Sequence, residues 1–506
     1  MEMTAIITPF VLFPNAQVGV EQSGFSGDLY PLRDACCPSQ ARCAFFEAAR
    51  LYHRNFHTML YLVKISQAAY MKPAIRQLLL LFILNLTLAF TIKGITDHYG
   101  IKNNKMSFDH AVWVFTAEMG NDSWRPMQLA YDHWIESGKQ SLLYTDLLLP
   151  VKLKFLYPPT ALLITQFINT NNIDLLTFST TATIIFLFLM AGSVIATTLH
   201  VYKDYKAPRF SQTEQIAIGV LLILLLFTFY PVVKAATLGQ MQVWLNAFFA
   251  VAILCYLTGW DILAGIMLGL MASIKPHYAL FILWGLLRGN KKLVIAITVT
   301  GLVGVLLGMR EFGFAMYLDY LKGLSFVTQH GESVYTNQSF NALAGRFFSV
   351  RYPEIFNNLK WNAYRYPPYN VWVFVFTQIT TVAILVITLI KTRSQSNESK
   401  LADFLLMGLG ATMASPIAWE HHYGILFPAF ICAWLMLWFG NTPLKNIWAK
   451  IGFILFYLIA ANVFPFTKFI AGSYINILQS YLLMAACGLF LILLLIKHPI
   501  KNKTNA

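Results

Sequence analysis

Residues 175–199 read LLTFSTTATIIFLFLMAGSVIATTL, and from Leu175 to Leu199 the chain carries no Asp, Glu, Lys or Arg. A helix needs roughly 17–25 mostly apolar residues to cross a bilayer, so this stretch predicts a membrane-spanning helix. Working outward, the same reading applies at 77–93, 214–232, 241–258, 262–274, 277–288, 293–309, 371–390, 402–416, 422–439, 451–464 and 477–496, the shorter of which must borrow flanking residues. The segment 157–168 (YPPTALLITQFI) is too short to span and follows a double proline. It predicts a re-entrant or partial helix. The expected fold class is all-α: a polytopic integral membrane protein of about twelve transmembrane helices plus that partial helix, with two long extracytoplasmic loops.

Composition agrees. Of 506 residues, 57% are hydrophobic and only 12% charged, with a mean hydropathy of +0.57. Soluble domains carry about 25% charged residues. A disordered chain, a secreted disulfide scaffold and an ordinary cytosolic enzyme are excluded on these grounds. Lys and Arg number 37 against 23 Asp and Glu, for a formal net charge of +14. In a soluble protein that excess would point to nucleic acid. Here the cations sit in short loops between apolar runs, so they report topology, and no nucleic-acid partner is expected. With Lys72 and Arg76 placed inside, the cytoplasmic ends and loops hold Lys203, Lys206, Arg209, Arg288, Lys291, Lys292, Lys391, Arg393, Lys400, Lys445, Lys450, Lys497, Lys501 and Lys503. The short outer loops hold only Lys234, Lys275 and Lys468. This asymmetry predicts twelve crossings with both ends cytoplasmic.

Residues 1–70 differ from the rest and lack the layout of a signal peptide. They are read as an N-terminal extension, with Met71-Lys72-Pro73 the expected native start. Residues 71–500 form a single transmembrane domain with outer loops at about 94–156 and 310–370, and 501–506 a cytoplasmic tail. The cysteines (Cys36, Cys37, Cys43, Cys255, Cys432 and Cys487) contain no C-x-x-C pair and predict no disulfide framework. In the first loop, Met127, Tyr131 and Trp134 recur at helical spacing among charged residues. That predicts a short helix on the membrane interface, or one packed on the protein.

The apolar runs are nearly free of ionisable residues, which argues against an ion pathway. Ionisable groups gather at the outer helix ends, so the site is expected at the outer membrane–water boundary. Five motifs stand there in order: Phe155-Leu156-Tyr157-Pro158-Pro159, Gly239-Gln240, Gly269-Leu270 through Lys275-Pro276, Asn337-Gln338-Ser339, and Ser415-Pro416 through Trp419-Glu420-His421-His422. Of these only Gly269-Leu270 falls away from the outer face. Together they resemble the bacterial polytopic polyprenyl-phosphate-sugar-dependent α-mannosyltransferases, glycosyltransferase family 87 of the C superfamily. The resemblance covers about residues 71–500. Family members commonly carry Asn two residues beyond the Gly-Gln pair, where this chain has Gln242.

The resemblance implies a C-superfamily glycosyltransferase-like fold in a bacterial cytoplasmic (inner) membrane, multi-pass. It implies inverting transfer of a single sugar, most plausibly mannose, from a polyprenyl-phosphate donor to a hydroxyl of a glycolipid or glycan on the outer face. Such a reaction needs a base across the sugar from the phosphate and cations or donors at the leaving phosphate. Asp122 is the expected base. On chemistry alone it is as well read as the cap of a helix starting near Trp124, and its family position favours the base. Asp109, Asp132 and Asp146 are its competitors. For the phosphate or sugar of the donor the candidates are Lys275, Arg346, Arg365, His421 and His422, where the cations are equally read as snorkelling at the interface. Tyr157, Gln240, Asn337, Gln338, Trp419 and Glu420 are candidate substrate-binding residues. Trp361 and Tyr366 are aromatic belt residues or sugar platforms. Adjacent histidines make a poor metal pair. No metal site and no cofactor are expected, since neither G-x-x-x-x-G-K-[ST] nor G-x-G-x-x-G occurs. The rival functions are a lipid-linked glycan flippase, which would need a polar path, and a glycan polymerase or ligase.

Overall fold

Pro73 stands in the first turn of α1 (Pro73–His98), where a missing N–H costs nothing. Two short helices follow outside the apolar runs, α2 (Ser107–Phe115) and α3 (Trp124–Glu136). The partial helix α4 (Pro159–Thr170) begins at the double proline. At 12 residues it is about 18 Å long, short of the ~30 Å hydrocarbon core. The charge-free segment forms α5 (Leu175–Asp204), capped by Asp174, whose carboxylate accepts from the Thr177 amide. A capping box of Ser211 and Glu214 starts α6 (Gln212–Phe227), and Glu214 also meets Lys72 at 2.8 Å, tying the starts of α1 and α6 together. This computed structural model describes residues 72–498 except 102–104, 149–152, 154, 206–208, 350–365, 392–395, 443 and 471–472. The extension 1–70, the start at Met71, the tail 501–506, Cys36, Cys37, Cys43, Trp361 and the candidate Arg365 lie outside the described residues.

The chain continues as α7 (Tyr230–Thr237), α8 (Gln242–Leu257), α9 (Asp261–Ile274), a 3-10 turn at Pro276–Ala279, α10 (Leu280–Arg288) and α11 (Lys291–Phe312). Then come α12 (Phe314–His330), α13 (Phe340–Ser349), α14 (Val371–Leu389) and α15 (Asn397–Met413). A 3-10 helix at Glu420–Ile425 leads into α16 (Leu426–Trp438), followed by α17 (Ile447–Ala460), 3-10 turns at Pro465–Ile470 and Tyr474–Ser480, and α18 (Tyr481–Lys497). No strand forms among the described residues, only one isolated bridge between Asn337 and Trp419. The protein is an all-α, multi-pass membrane protein. Among the described residues six helical stretches are long and apolar enough to cross a bilayer: Pro73–His98, Leu175–Asp204, Lys291–Phe312, Val371–Leu389, Glu420–Trp438 and Tyr474–Lys497. Each of the other segments expected to cross also falls on a helix, but a shorter or a bent one.

One expectation changes, one gains detail, and one choice left open is decided. The segment 214–232 is not one straight span: α6 and α7 meet at a 65° bend. Pro231 cannot donate to the preceding turn and clashes with it. The Tyr230 amide turns instead to the Ala461 carbonyl at 3.1 Å. The stretch 310–370 is not simply a loop, since it carries α12 and α13. In α3 the face bearing Trp124, Met127 and Trp134 packs into the protein core, while Leu129 and Ile135 face outward. The apolar stripe of this helix serves packing.

Glycines set the mesh of three consecutive helices. A Cβ on Gly265 would lie 2.6 Å from that of Ala296, one on Gly269 2.6 Å from that of Thr300, and one on Gly304 3.0 Å from Ser273 Oγ. The contacts advance along α9 and α11 together, so those helices run parallel and α10 returns between them. Small residues every fourth position let helix backbones approach where water offers no driving force. At the end holding the cationic loops, Arg288 grips both carboxylate oxygens of Asp403 at 2.8 Å, and Lys497 reaches the same carboxylate at 2.8 Å. Arg288 and Lys497 also donate to the carbonyls of Leu389 and Thr388, which close α14. Four helices are thus tied through one buried carboxylate.

At the opposite end the 120–123 loop lies along the turn after α7. The Gly120 amide donates to the Thr237 carbonyl at 2.8 Å and the Asp122 amide to Leu238 at 2.8 Å. Gly239 has φ +65, and a Cβ there would stand 1.9 Å from the Gly120 carbonyl oxygen. Only glycine fits.

Two outcomes are expected. Asp403→Asn leaves two cations without their carboxylate and costs about 3–5 kcal/mol, read as a fall in thermal unfolding temperature in detergent. Gly239→Ala loses more than the ~1–2 kcal/mol of a left-handed alanine, because the backbone of Gly120 blocks it. Gly289→Ala, at φ +73 with open space around it, pays the conformational penalty alone, and the two variants compared in one unfolding series separate the terms.

Candidate functional site

The approach of Gly239 to Gly120 delivers Gln240 to Asp122. The Gln240 side-chain amide donates to Asp122 Oδ2, and its carbonyl accepts from Ser123 Oγ at 2.6 Å. Ser123 Oγ lies 2.7 Å from the Tyr157 hydroxyl and accepts from the Met241 amide at 3.1 Å. Burial pushes the Tyr157 phenol well above its ordinary pKa, against the Ser123 hydrogen bond, so it stays protonated. Asp122 itself is exposed. The helix-cap position of α3 belongs to Ser123, so Asp122 is spent on the cross-chain contact. Its competitors are absorbed locally. Asp109 accepts from the Met106 amide, Asp132 from Gln128, and Asp146 from the Leu142 amide.

Two residues after Gln240, the chain makes a second side-chain grip. Gln242 Oε1 accepts from Lys275 Nζ at 2.7 Å, and Gln242 Nε2 donates to Asn246 at 2.9 Å. Lys275 is half-buried, and no carboxylate among the described residues lies within ion-pair distance of it. Its position follows from the break between α9 and the 3-10 turn at Pro276. The 3-10 helix Glu420–Ile425 packs against α7 and α8. Gly424 makes this possible, since a Cβ there would overlap the Asn246 side chain. The His422 carbonyl accepts from Gln242 Nε2 at 3.4 Å, and the His421 and His422 rings both pack beside Trp419. Lys234, on α7, acts on His110, which with burial as the main cause has its pKa pulled down to about 3. His110 is therefore neutral and shares a 2.9 Å hydrogen bond with Thr237 Oγ1.

The remaining candidates form a brace. Asn337 takes the Ala418 amide on its carbonyl and donates to the carbonyls of Glu332 and Pro416. Gln338 donates to Tyr335 and Gln479 carbonyls and accepts from the Leu482 amide. Arg346, buried, donates to the carbonyls of Val334 and Asn337 at 3.0 Å and to Ser480 Oγ at 2.6 Å. Trp419 donates from its indole to Glu332 at 2.8 Å, and Glu420 accepts from the Tyr481 hydroxyl at 2.7 Å and from that of Tyr230 at 3.4 Å. These contacts hold residues 415–422 in place. The Tyr366 ring packs edge-on against Phe326.

Asp122, Tyr157, Gln240 and Lys275 therefore belong to two grips joined by residues 240–242, with the His422 carbonyl at the second; the His421 ring lies beside Trp419, while Asn337, Gln338 and Arg346 are engaged in the brace. Sequence reasoning gave no site role to Lys234 or His277, although Lys234 carried a visible signal as one of the few cations in the short loops read as outer. Gln242 stood out only as a departure from the family's Asn, and its contact with Lys275 lies 33 positions away. Among the described residues no three His, Cys, Asp or Glu side chains converge as a metal site.

A family model of glycosyltransferase family 87 matches residues 155–416. Searches of curated proteins and of solved structures return no match. The matched span holds Tyr157, Gln240, Gln242, Lys275 and the brace up to Pro416, whereas Asp122 and Trp419–His422 flank it. Since the match covers just over half of the chain and runs from the Tyr-Pro-Pro motif to Ser415-Pro416, the protein belongs to glycosyltransferase family 87 and is a membrane glycosyltransferase.

Proposed function

We propose that the protein transfers one sugar, mannose, from a polyprenyl-phosphate donor to a hydroxyl of a glycolipid or glycan, with inversion at the anomeric carbon. One observation carries this reading: Gln240 holds a carboxylate and Gln242, two residues on, holds an ammonium group. Consecutive Cα atoms are 3.8 Å apart, so the Cα atoms of the two glutamines that carry these grips lie within about 8 Å of each other. Inversion requires an anionic base and a cationic phosphate site on opposite sides of the sugar, and two grips of opposite charge rooted in one turn support that reading.

Asp122 takes the proton of the acceptor hydroxyl as the oxygen bonds to the anomeric carbon. The glycosyl–phosphate C–O bond breaks with its electron pair moving to the phosphate. Lys275 meets the charge released there. Tyr157 and Ser123 keep Gln240 fixed so that Asp122 is oriented before substrate arrives. Lys275 serves the phosphate, and no resident metal or cofactor is part of the reading. The site faces away from the end that carries Lys72, Arg76, Lys291, Lys292, Lys445 and Lys450, which under the positive-inside rule supports reading it on the outer face; we take the membrane to be a bacterial cytoplasmic one with both ends inside.

The test is transfer by purified protein from radiolabelled polyprenyl-phosphate mannose to bacterial glycolipids. Asp122→Asn is expected to lower kcat about 10²–10⁴-fold, with the donor KM nearly unchanged, while Lys275→Met raises the donor KM. Equal turnover by wild type and Asp122→Asn would remove Asp122 as the base. Transfer from an arabinose donor and none from mannose would overturn the sugar. Loss of wild-type transfer on chelation would overturn metal independence.

A further inference from the structure

Away from the two grips, a cavity of about 250 Å³ opens between the end of α12, the helix α13 and the stretch that leads into α14. The far end of α14 meets the Arg288–Asp403–Lys497 cluster, so its start, and the cavity with it, stands at the end of the molecule that holds Asp122 and Lys275. The α12 wall continues into an apolar cluster of Phe326, Val327, Ile417, Trp419 and Leu156, the residue before Tyr157. Among the described residues no Asp, Glu, Lys or Arg lines the cavity. Its lining is polar but neutral. The Asn370 side-chain carbonyl caps α14, accepting from the Trp372 amide at 2.9 Å and the Val373 amide at 3.2 Å. That cap fixes which end of the amide is oxygen. Its Nδ2 bonds no described residue, so two N–H donors remain. His330 Nδ1 lies 2.8 Å from the Pro367 carbonyl oxygen. A carbonyl only accepts, so Nδ1 carries the proton and Nε2 of the neutral ring is an acceptor. Ser333 adds a hydroxyl, and Gly345 makes room for it, since a Cβ there would stand 2.2 Å from Ser333 Oγ. Tyr369 and Phe348 add ring faces.

We propose that this cavity holds a neutral sugar of the glycan or glycolipid acceptor. The inference rests on the acceptor class proposed above and adds where a sugar of that acceptor is bound. A sugar carries hydroxyls that both donate and accept, and its C–H face is apolar. The cavity answers each feature, with donors on Asn370, an acceptor on His330, a hydroxyl on Ser333 and the rings of Tyr369 and Phe348. An anionic group would meet no cation among the described lining residues. An acyl chain would bury these polar groups unpaired, which is unfavourable. The depth agrees. Val371 and Trp372, at the start of a membrane-spanning helix, are exposed, and an exposed indole at a helix end belongs at the membrane–water boundary. The sugar headgroup of a glycolipid stands at that depth.

The experiment measures binding of two neutral trisaccharides, mannotriose and maltotriose, to the full-length chain in phosphatidylcholine nanodiscs, with no sugar detergent and no donor present. The wild type is expected to bind at least one of them. Asn370→Ser keeps a helix-capping oxygen but loses the Nδ2 donors, and is expected to weaken binding about 3- to 10-fold, the worth of a neutral hydrogen bond, with the unfolding temperature near that of wild type. Tyr369→Ala removes a ring face and is expected to weaken binding by a similar factor. Gly345→Ala pushes the Ser333 hydroxyl aside and is expected to weaken it as well. If Gly345→Ala fails to fold, the exposed Tyr369 and the cap-preserving Asn370→Ser carry the test. Binding of neither trisaccharide by the wild type, binding that survives both Asn370→Ser and Tyr369→Ala, or displacement of the sugar by decanol, which would give the cavity to an acyl chain, overturns the inference. Because no donor is added, the proposed transfer fails separately: a wild type that binds the trisaccharide through these residues and transfers nothing from polyprenyl-phosphate mannose leaves the sugar cavity standing and removes the donor.

Discussion

The close approach of Gly239 to Gly120 is the contact on which the end of the molecule away from the Arg288–Asp403–Lys497 cluster depends. Two backbone strings run side by side there, joined by amide-to-carbonyl bonds at 2.8 Å, and no side chain fits between them. A turn at positive φ ends α7 and starts α8 in the same few residues. Because of that turn, the amides of Gln240 and Gln242 leave the backbone close together and reach different partners. One takes Asp122 from the first outer loop. The other takes Lys275 from the break between α9 and α10. A carboxylate and an ammonium group that are 153 positions apart in the sequence are organised by three consecutive residues.

The apolar sequence imposes a second constraint. Helices without water between them have little hydrophobic reason to associate, so packing and polar ties must do it. Small residues along α9 and α11 provide the first. The Arg288–Asp403–Lys497 cluster provides the second, at the end away from the site. The two ends of the bundle therefore differ in purpose. One locks helices through a buried carboxylate shared by two cations. The other holds Lys275 on the Gln242 amide, with no carboxylate among the described residues at ion-pair distance from it.

Between them stands the brace of Asn337, Gln338, Arg346 and Trp419. Buried polar side chains are expected to be hydrogen-bonded, and here nearly every bond goes to backbone. Such a network fixes the irregular stretch that leads into the 3-10 helix Glu420–Ile425. Residues 415–422 carry the histidines, and their placement relies on amides that act as scaffold.

The sequence by itself determined the membrane class and the helical segments, because hydropathy and charge act locally and along the chain. It also determined the motif set that carries family membership, and it pointed to Asp122, Tyr157, Gln240, Lys275 and the histidine pair. Tertiary structure alone decided which of these face one another. The bend at Pro231 was written in a residue type, but its 65° angle and the helix it directs onto Glu420–Ile425 depend on distant packing. Asn337, Gln338 and Arg346 have the chemistry of ligand-binding residues in sequence and the geometry of a scaffold in the fold. The stripe of α3 reads as a membrane face and lies against the core. The physical reason is common to all these cases: periodicity and composition say what a segment can bury or bind, and only the position of its neighbours says with what.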